Sequence, residues 1–132
     1  MFIKPEDIHC EDNGTNFNEF YSCLDSQRVP AEQIMMARAT FDPKTGHEFH
    51  YHEAREEMIY VLEGQVEQWV EHEKQILGPG DVAFIPAGVV HASFNVGDGP
   101  AKLLAVLGNK GASTAFAVDV SDQEPWCNLR KS

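Results

Sequence analysis

A chain of 132 residues, 42% of them apolar and 23% charged, suits one globular domain with a single core and leaves little room for a second. A formal net charge of −11 sets it against phosphate backbones and anionic lipid, so neither nucleic acid nor a membrane surface is an expected partner. No apolar window is long enough to cross a bilayer, and the opening stretch MFIKPEDIHC lacks the apolar core of a secretory signal, so a cytoplasmic protein is expected.

Residues 1–16 are polar and carry a turn signal at Asn13-Gly14. Residues 17–24 form a weak first strand and residues 33–41 (QIMMARATF) a better one. The overlapping stretch 31–39 holds good helix formers, but its neighbours are strands, and strand is preferred. Two phases are open there. One turns Met35, Ala37, Ala39 and Phe41 inward and is wholly apolar. The other turns Ile34, Met36, Arg38 and Thr40 inward and would give a pocket a guanidinium able to clamp a carboxylate. A turn at 42–46 leads into HEFHYH, and strands at 57–63 and 65–71 flank Gly64 as a hairpin. Short strands follow at 74–77, 81–85, 90–96 and 101–107, separated by Gly- and Pro-rich turns. A last strand at 113–120 precedes a polar tail containing Trp126. Many short strands at regular spacing, with no helical period sustained over three turns, predict an all-β sandwich or barrel.

Cys10, Cys23 and Cys127 form no C-x-x-C pair, which removes a zinc knuckle or a thioredoxin-like motif. Free thiols in a reducing compartment fit them best, with a Cys10–Cys23 disulfide as the alternative. His50 and His52 are the more informative pair. Two apart on a strand they share a face and can reach one ion, whereas on a helix they would diverge. Glu57 opens the next strand and His91 another. Three neutral imidazoles and one carboxylate suit a first-row divalent metal and leave a six-coordinate ion two open positions. Against this, Arg55-Glu56-Glu57 also reads as an ordinary solvated charge run, and His9, His47 and His72 lie in charged or loop-like surroundings that give them no site role.

The stretch Gly80 to Asn95 reads GDVAFIPAGVVHASFN, with Pro86, Gly88 and His91 between its ends. The stretch His50 to Gly64 reads HYHEAREEMIYVLEG. Together they resemble the two sequence motifs of the cupin superfamily, the first in its longer-loop form. The resemblance implies a single-domain double-stranded β-helix, or jelly roll, with one divalent metal (iron, manganese, zinc or nickel) held in the barrel by His50, His52, Glu57 and His91. It divides the chain into an N-terminal extension with a weak first strand (1–30), the cupin barrel (31–110), and a last strand with a C-terminal tail (111–132). One departure stands out: the family's first motif usually opens with glycine six positions before its first histidine, and this chain has Lys44 there, with Gly46 nearby.

With His91 facing inward, Ser93 and Asn95 share its face while Ala92 and Phe94 turn outward. Ser93 and Arg38 are thus the candidate pocket residues beyond the ligands, and Tyr60, opposite in phase to Glu57, is read as packing. Strands 58–62 and 103–107 are apolar on both faces, and one barrel buries only one. A homodimer is the expected cover, with the tail around Trp126 as the alternative. The fold hosts many chemistries, so three functions remain open. They are an oxygen-dependent dioxygenase acting on a small organic molecule, a non-redox isomerase, lyase or decarboxylase using the metal as Lewis acid, and a small-ligand-binding or sensor protein without turnover.

Overall fold

Among the residues described by the computed structural model (1–22, 29–108 and 115–130), the strands form two antiparallel sheets, giving the double-stranded β-helix. The strands are β1 (His9–Asp12), β2 (Asn16–Ser22), β3 (Met35–Phe41), β4 (Gly46–Tyr51), β5 (Glu57–Glu63), β6 (Val66–Val70), β7 (Glu73–Leu77), β8 (Val82–Ile85), β9 (His91–Asn95), β10 (Ala101–Leu107) and β11 (Val118–Asp119). A six-stranded sheet has the order β1-β2-β3-β10-β5-β8, and a five-stranded sheet the order β11-β4-β9-β6-β7. A short helix, α1 (Trp126–Leu129), follows. No helix among the described residues is long and apolar enough to cross a membrane.

The N-terminal residues add two strands to the six-stranded sheet. β2 pairs with β3, and the polar, exposed β1 pairs with β2 at the outer edge. Of the last strand expected over 113–120, a two-residue β11 forms, paired with Tyr51 and His50 of β4, while 109–114 lie outside the described residues. Cys10 and Cys127 are free thiols, and Cys23, the other half of the conceivable Cys10–Cys23 disulfide, lies outside the described residues.

Between the sheets one apolar cluster is built on Phe41, Ile59, Val61, Val66, Ile85 and Leu103. Burying each of these larger side chains contributes roughly 1.5–3 kcal/mol. A second cluster (Phe49, Trp69, Val90, Ala92, Phe94 and Val120) lies on the outer side of the five-stranded sheet, where Trp126 and Leu129 cover it. Arg130 pins this cover: its guanidinium lies 3.6 Å from the Phe94 ring centroid and its Nε donates to Glu67 at 2.8 Å. That is why all five residues of β9 are buried. The tail therefore covers the five-stranded sheet. The other sheet, whose strands are the ones with two apolar faces, keeps Met58, Tyr60, Leu62, Val82 and Phe84 each 40% or more exposed.

Arg38 is the expectation the structure corrects. β3 takes the apolar phase, with Ala37, Ala39 and Phe41 toward the cavity between the sheets. Arg38 points outward, where Glu19 stands directly across the strand pair, and Nε and Nη2 donate to its carboxylate at 2.9 and 2.7 Å. Inward, the charge would have faced alanine and leucine walls with nothing to pair it.

Two backbone positions frame the metal-motif strands. Gly64 has φ +81°, and a Cβ there would come within 2.7 Å of the Pro100 oxygen, so the hairpin needs glycine on both counts. Lys44 has φ 67°, the left-handed region, in a turn closed by Thr45 N–H donating to Asp42 O at 3.1 Å. Two residues on, a Cβ on Gly46 would collide with the Ser93 backbone oxygen and come within 2.7 Å of Phe94 Cα, which is how closely β4 and β9 pack.

Candidate metal centre

β4 and β9 bring two of the four residues together by register alone, since His50 and His91 are cross-strand partners. His52 follows β4, its carbonyl fixed by the Gly88 N–H at 2.9 Å. Glu57 opens β5 in the opposite sheet. The four residues are 1–6% exposed, and one donor atom from each lies within 4.8 Å of all the others. His52 Nε2 and His91 Nε2 stand 3.2 and 2.8 Å from the same oxygen of Glu57.

The tautomers decide what this cluster can hold. Nδ1 of His50 contacts the Glu48 carbonyl at 2.6 Å, Nδ1 of His52 the Phe116 carbonyl at 2.7 Å, and Nδ1 of His91 the Val89 carbonyl at 3.0 Å. A carbonyl only accepts, so each Nδ1 carries the proton and each neutral ring turns a lone pair on Nε2 inward. Three lone pairs and a carboxylate then face one another, and Glu57 Oε1 and His91 Nε2, though close, have no hydrogen-bond partner. The arrangement calls for positive charge at its centre. Burial works to raise the Glu57 carboxyl, but the imidazoles of His52 and His91 beside it hold it well below the usual carboxylate range, so it stays a carboxylate. His50 supplies no positive charge: burial, reinforced by His47 and His91, pushes its imidazole down to about 2, so it stays a neutral donor. A divalent cation meets the need, and the donor set of three imidazoles and one carboxylate suits a single such ion.

The four residues line one end of a cavity of about 300 Å³ between the sheets. Its walls are largely apolar, from Ala37 and Ala39 on β3, Ile59 on β5 and Leu103, Ala105 and Leu107 on β10. Asn16 and Asn18 of β2 supply polar edges. Ser93 lines the cavity too, with its hydroxyl donating to Gln68 Oε1 at 2.6 Å. Tyr60 stands on the outer face, 44% exposed. No lysine or arginine among the described residues lines the cavity.

Three contributors escape sequence reasoning. His47 stacks on His50, ring centroids 3.8 Å apart, and lines the cavity. Its place in the alternation of β4 is disturbed by an irregular register between His47 and His50, which no sequence period announces. Arg55, in a run that reads as solvated, is 1% exposed. Phe116 lines the cavity from a segment 64 residues beyond the histidine it touches. His9 and His72 remain outside the site, against Glu11 and Trp126 respectively.

The chain is similar to known proteins in sequence profile, in local sequence and in fold. The sequence profile of the cupin domain family matches residues 37–107, more than half of the chain. Quercetin 2,3-dioxygenase of Bacillus subtilis (strain 168) is 40% identical over 58 residues, 44% of this chain and 17% of that enzyme. The chain thus spans under a fifth of that relative's length, and 40% of a 46%-identical uncharacterised protein from Aquifex aeolicus. Among solved structures, oxalate decarboxylase from Bacillus subtilis superposes with a TM-score of 0.77 at 19% identity, over 91% of this chain and 32% of that one. KdgF from Halomonas sp. gives 0.70 at 19% identity, over 83% and 93%. At such identities the superpositions speak for the fold alone. The profile match, the jelly-roll strand order and the inward-facing histidine and glutamate cluster agree, and the chain belongs to the cupin family.

Proposed function

We propose that the chain holds one divalent ion through His50, His52, Glu57 and His91 and acts on a small organic molecule in an oxygen-dependent reaction of the dioxygenase type. The observation that carries the metal reading is the convergence of three Nε2 lone pairs and a carboxylate whose outward hydrogen bonds are already made. When bound, a redox-active ion there would supply coordination positions for substrate and dioxygen, whereas zinc would supply Lewis acidity only.

The residues of the chain shape the rest. The apolar walls favour an organic body over a sugar or a free polyanion, since no lysine or arginine among the described lining residues would neutralise a charge. Asn16, Asn18 and Ser93 can orient a hydroxyl or carbonyl. His47 is the one titratable cavity group outside the four among the described residues; desolvation lowers it from its ordinary value, so it meets a substrate as a neutral imidazole that can hydrogen-bond a hydroxyl. The sequence likeness to quercetin 2,3-dioxygenase supports the oxygen-dependent reading over the Lewis-acid one.

The test is anaerobic reconstitution of metal-free protein with iron(II) or zinc, followed by oxygen uptake and substrate loss across phenols, small carboxylates and sugars. Oxygen uptake with iron and none with zinc is expected. Equal turnover with zinc and no oxygen uptake would move the protein to the isomerase, lyase or decarboxylase class. Ligand binding without turnover under either metal would make it a binding protein.

A homodimer joined through the outer face of the six-stranded sheet completes the reading. That face keeps its large apolar side chains exposed although the tail has sealed the other sheet. Two of its charged pairs are already matched across strands, Arg38 with Glu19 and Lys102 with Glu63, which lowers the cost of bringing two copies together there. Light scattering at micromolar concentration should give about twice the 14.8 kDa chain mass. A monomer mass across the whole range removes the dimer. The free thiols of Cys10 and Cys127 support a reducing, cytoplasmic setting.

A further inference from the structure

The buried Arg55 and the segment that follows the last long strand meet behind the metal centre. Arg55 is 1% exposed, the largest of the wholly buried side chains. Its Nη1 donates to the Ala115 carbonyl at 3.3 Å, and its guanidinium lies 5.6 Å from the Phe116 ring centroid. Phe116 then serves the site twice. Its carbonyl accepts the His52 Nδ1–H at 2.7 Å, and its ring packs on the His52 ring at 5.0 Å while forming part of the cavity wall. Beyond it the chain continues along β4: Val118 and Asp119 pair with Tyr51 and His50, and the Val120 N–H donates to the Phe49 carbonyl at 3.0 Å. Residues 115–120 are thus a strap laid along the strand that carries the metal motif.

A guanidinium is costly to bury, and a run such as Arg55-Glu56 would ordinarily face water. Here a backbone carbonyl and an aromatic face of the strap are among its partners. With β11 holding the far end of the strap on β4, Arg55 is the hold at its near end, and losing it loosens the Phe116 carbonyl that keeps the His52 proton on Nδ1 and its lone pair inward.

We propose that Arg55 is a positioning residue that latches the strap 115–120 against the site, so that ion binding at His52 and closure of the cavity wall by Phe116 become one coupled event. The proposal rests on the metal reading above. Coupling of this kind is reciprocal: the ion should steady the strap by the same factor by which the strap improves ion binding. Arg55→Lys keeps the charge but loses the planar fork and the stacking surface, which makes it the informative variant.

Two measurements decide it, with cobalt(II) added to metal-free full chain as the probe. The first is cobalt affinity by competition with a chelator, where Arg55→Lys should bind about 10- to 100-fold more weakly than the unaltered chain. The second is amide hydrogen exchange over 116–120 in the unaltered chain, where cobalt should slow exchange, an effect that Arg55→Lys should largely remove. A residue that merely packs would leave the cobalt dependence of strap exchange untouched. Unchanged cobalt affinity in Arg55→Lys overturns the latch. So does strap exchange in the unaltered chain that cobalt does not alter, a result that needs no variant to fold. If the unaltered chain binds no cobalt at all, the metal reading itself fails and the latch falls with it.

Discussion

Replacing His91 by alanine is expected to lower metal content from one ion per chain to under about a tenth of that when metal is supplied stoichiometrically. His91 sits at the centre of the cluster, 2.8 Å from the Glu57 carboxylate and across the strand pair from His50. Changes to groups that only orient ligands already cost roughly 10- to 100-fold in affinity, and loss of a ligand should cost at least as much. His52→Ala should behave alike. Neither change removes a residue of the two apolar clusters, so circular dichroism should report an intact β fold. Added metal should raise the melting temperature of the unaltered chain, because an ion that binds only the folded state stabilises it by mass action. That rise should vanish in both variants. Elemental analysis showing full occupancy in both would end the four-ligand assignment.

Acid should strip the metal and loosen the fold over the same pH range. Buried His50 is pushed down to about 2 from an ordinary value of 6.5, so the folded chain leaves it neutral while the unfolded chain protonates it. Stability from this group is therefore present above about 6.5 and is lost progressively as pH falls below that value. Glu57 adds to the trend at lower pH. Its carboxyl lies below the ordinary 4.5, so its contribution is present above about 4.5 and is lost as pH falls further. Meanwhile protons compete with the ion for the inward lone pairs. Metal content, measured after dialysis at each pH, should begin to drop near pH 6 and be gone by about pH 4. The melting temperature of the metal-free protein should fall across the same interval. Full metal retention at pH 4 would exclude a site built on three imidazoles.

Much of this site is legible in the sequence because strand geometry is simple. His91 and Ser93 face the cavity while Ala92 and Phe94 join the outer cluster, as a two-residue period requires. The same period left two phases for residues 35–41, and the apolar one prevailed because Glu19 was available outside to pair Arg38. Where the signal lay in another segment, the sequence was silent. β1 is an exposed polar edge strand (HCED) with no alternation of its own, held by pairing with β2. Arg55 is buried by residues 60 positions away, and nothing in its own neighbourhood foretells that. In the sequence the tail and a second copy are rival covers for the apolar faces. The tail closes the five-stranded sheet and leaves the other open, a division that depends on which sheet each strand joins.

Lys44 shows what the opening position of the first cupin motif encodes. Glycine is usual there, and this chain lacks it, yet the backbone at Lys44 still swings to φ 67° and donates its N–H to the Asn95 carbonyl at 3.2 Å. A left-handed turn on a side-chain-bearing residue costs roughly 1–2 kcal/mol. The chain bears that because the turn delivers Gly46 into its tight seat against Ser93 and Phe94, and with it the start of the histidine strand. What the position encodes is thus a dihedral angle, with glycine its least strained spelling. A pattern search that insists on the letter would pass over a chain that has kept the shape.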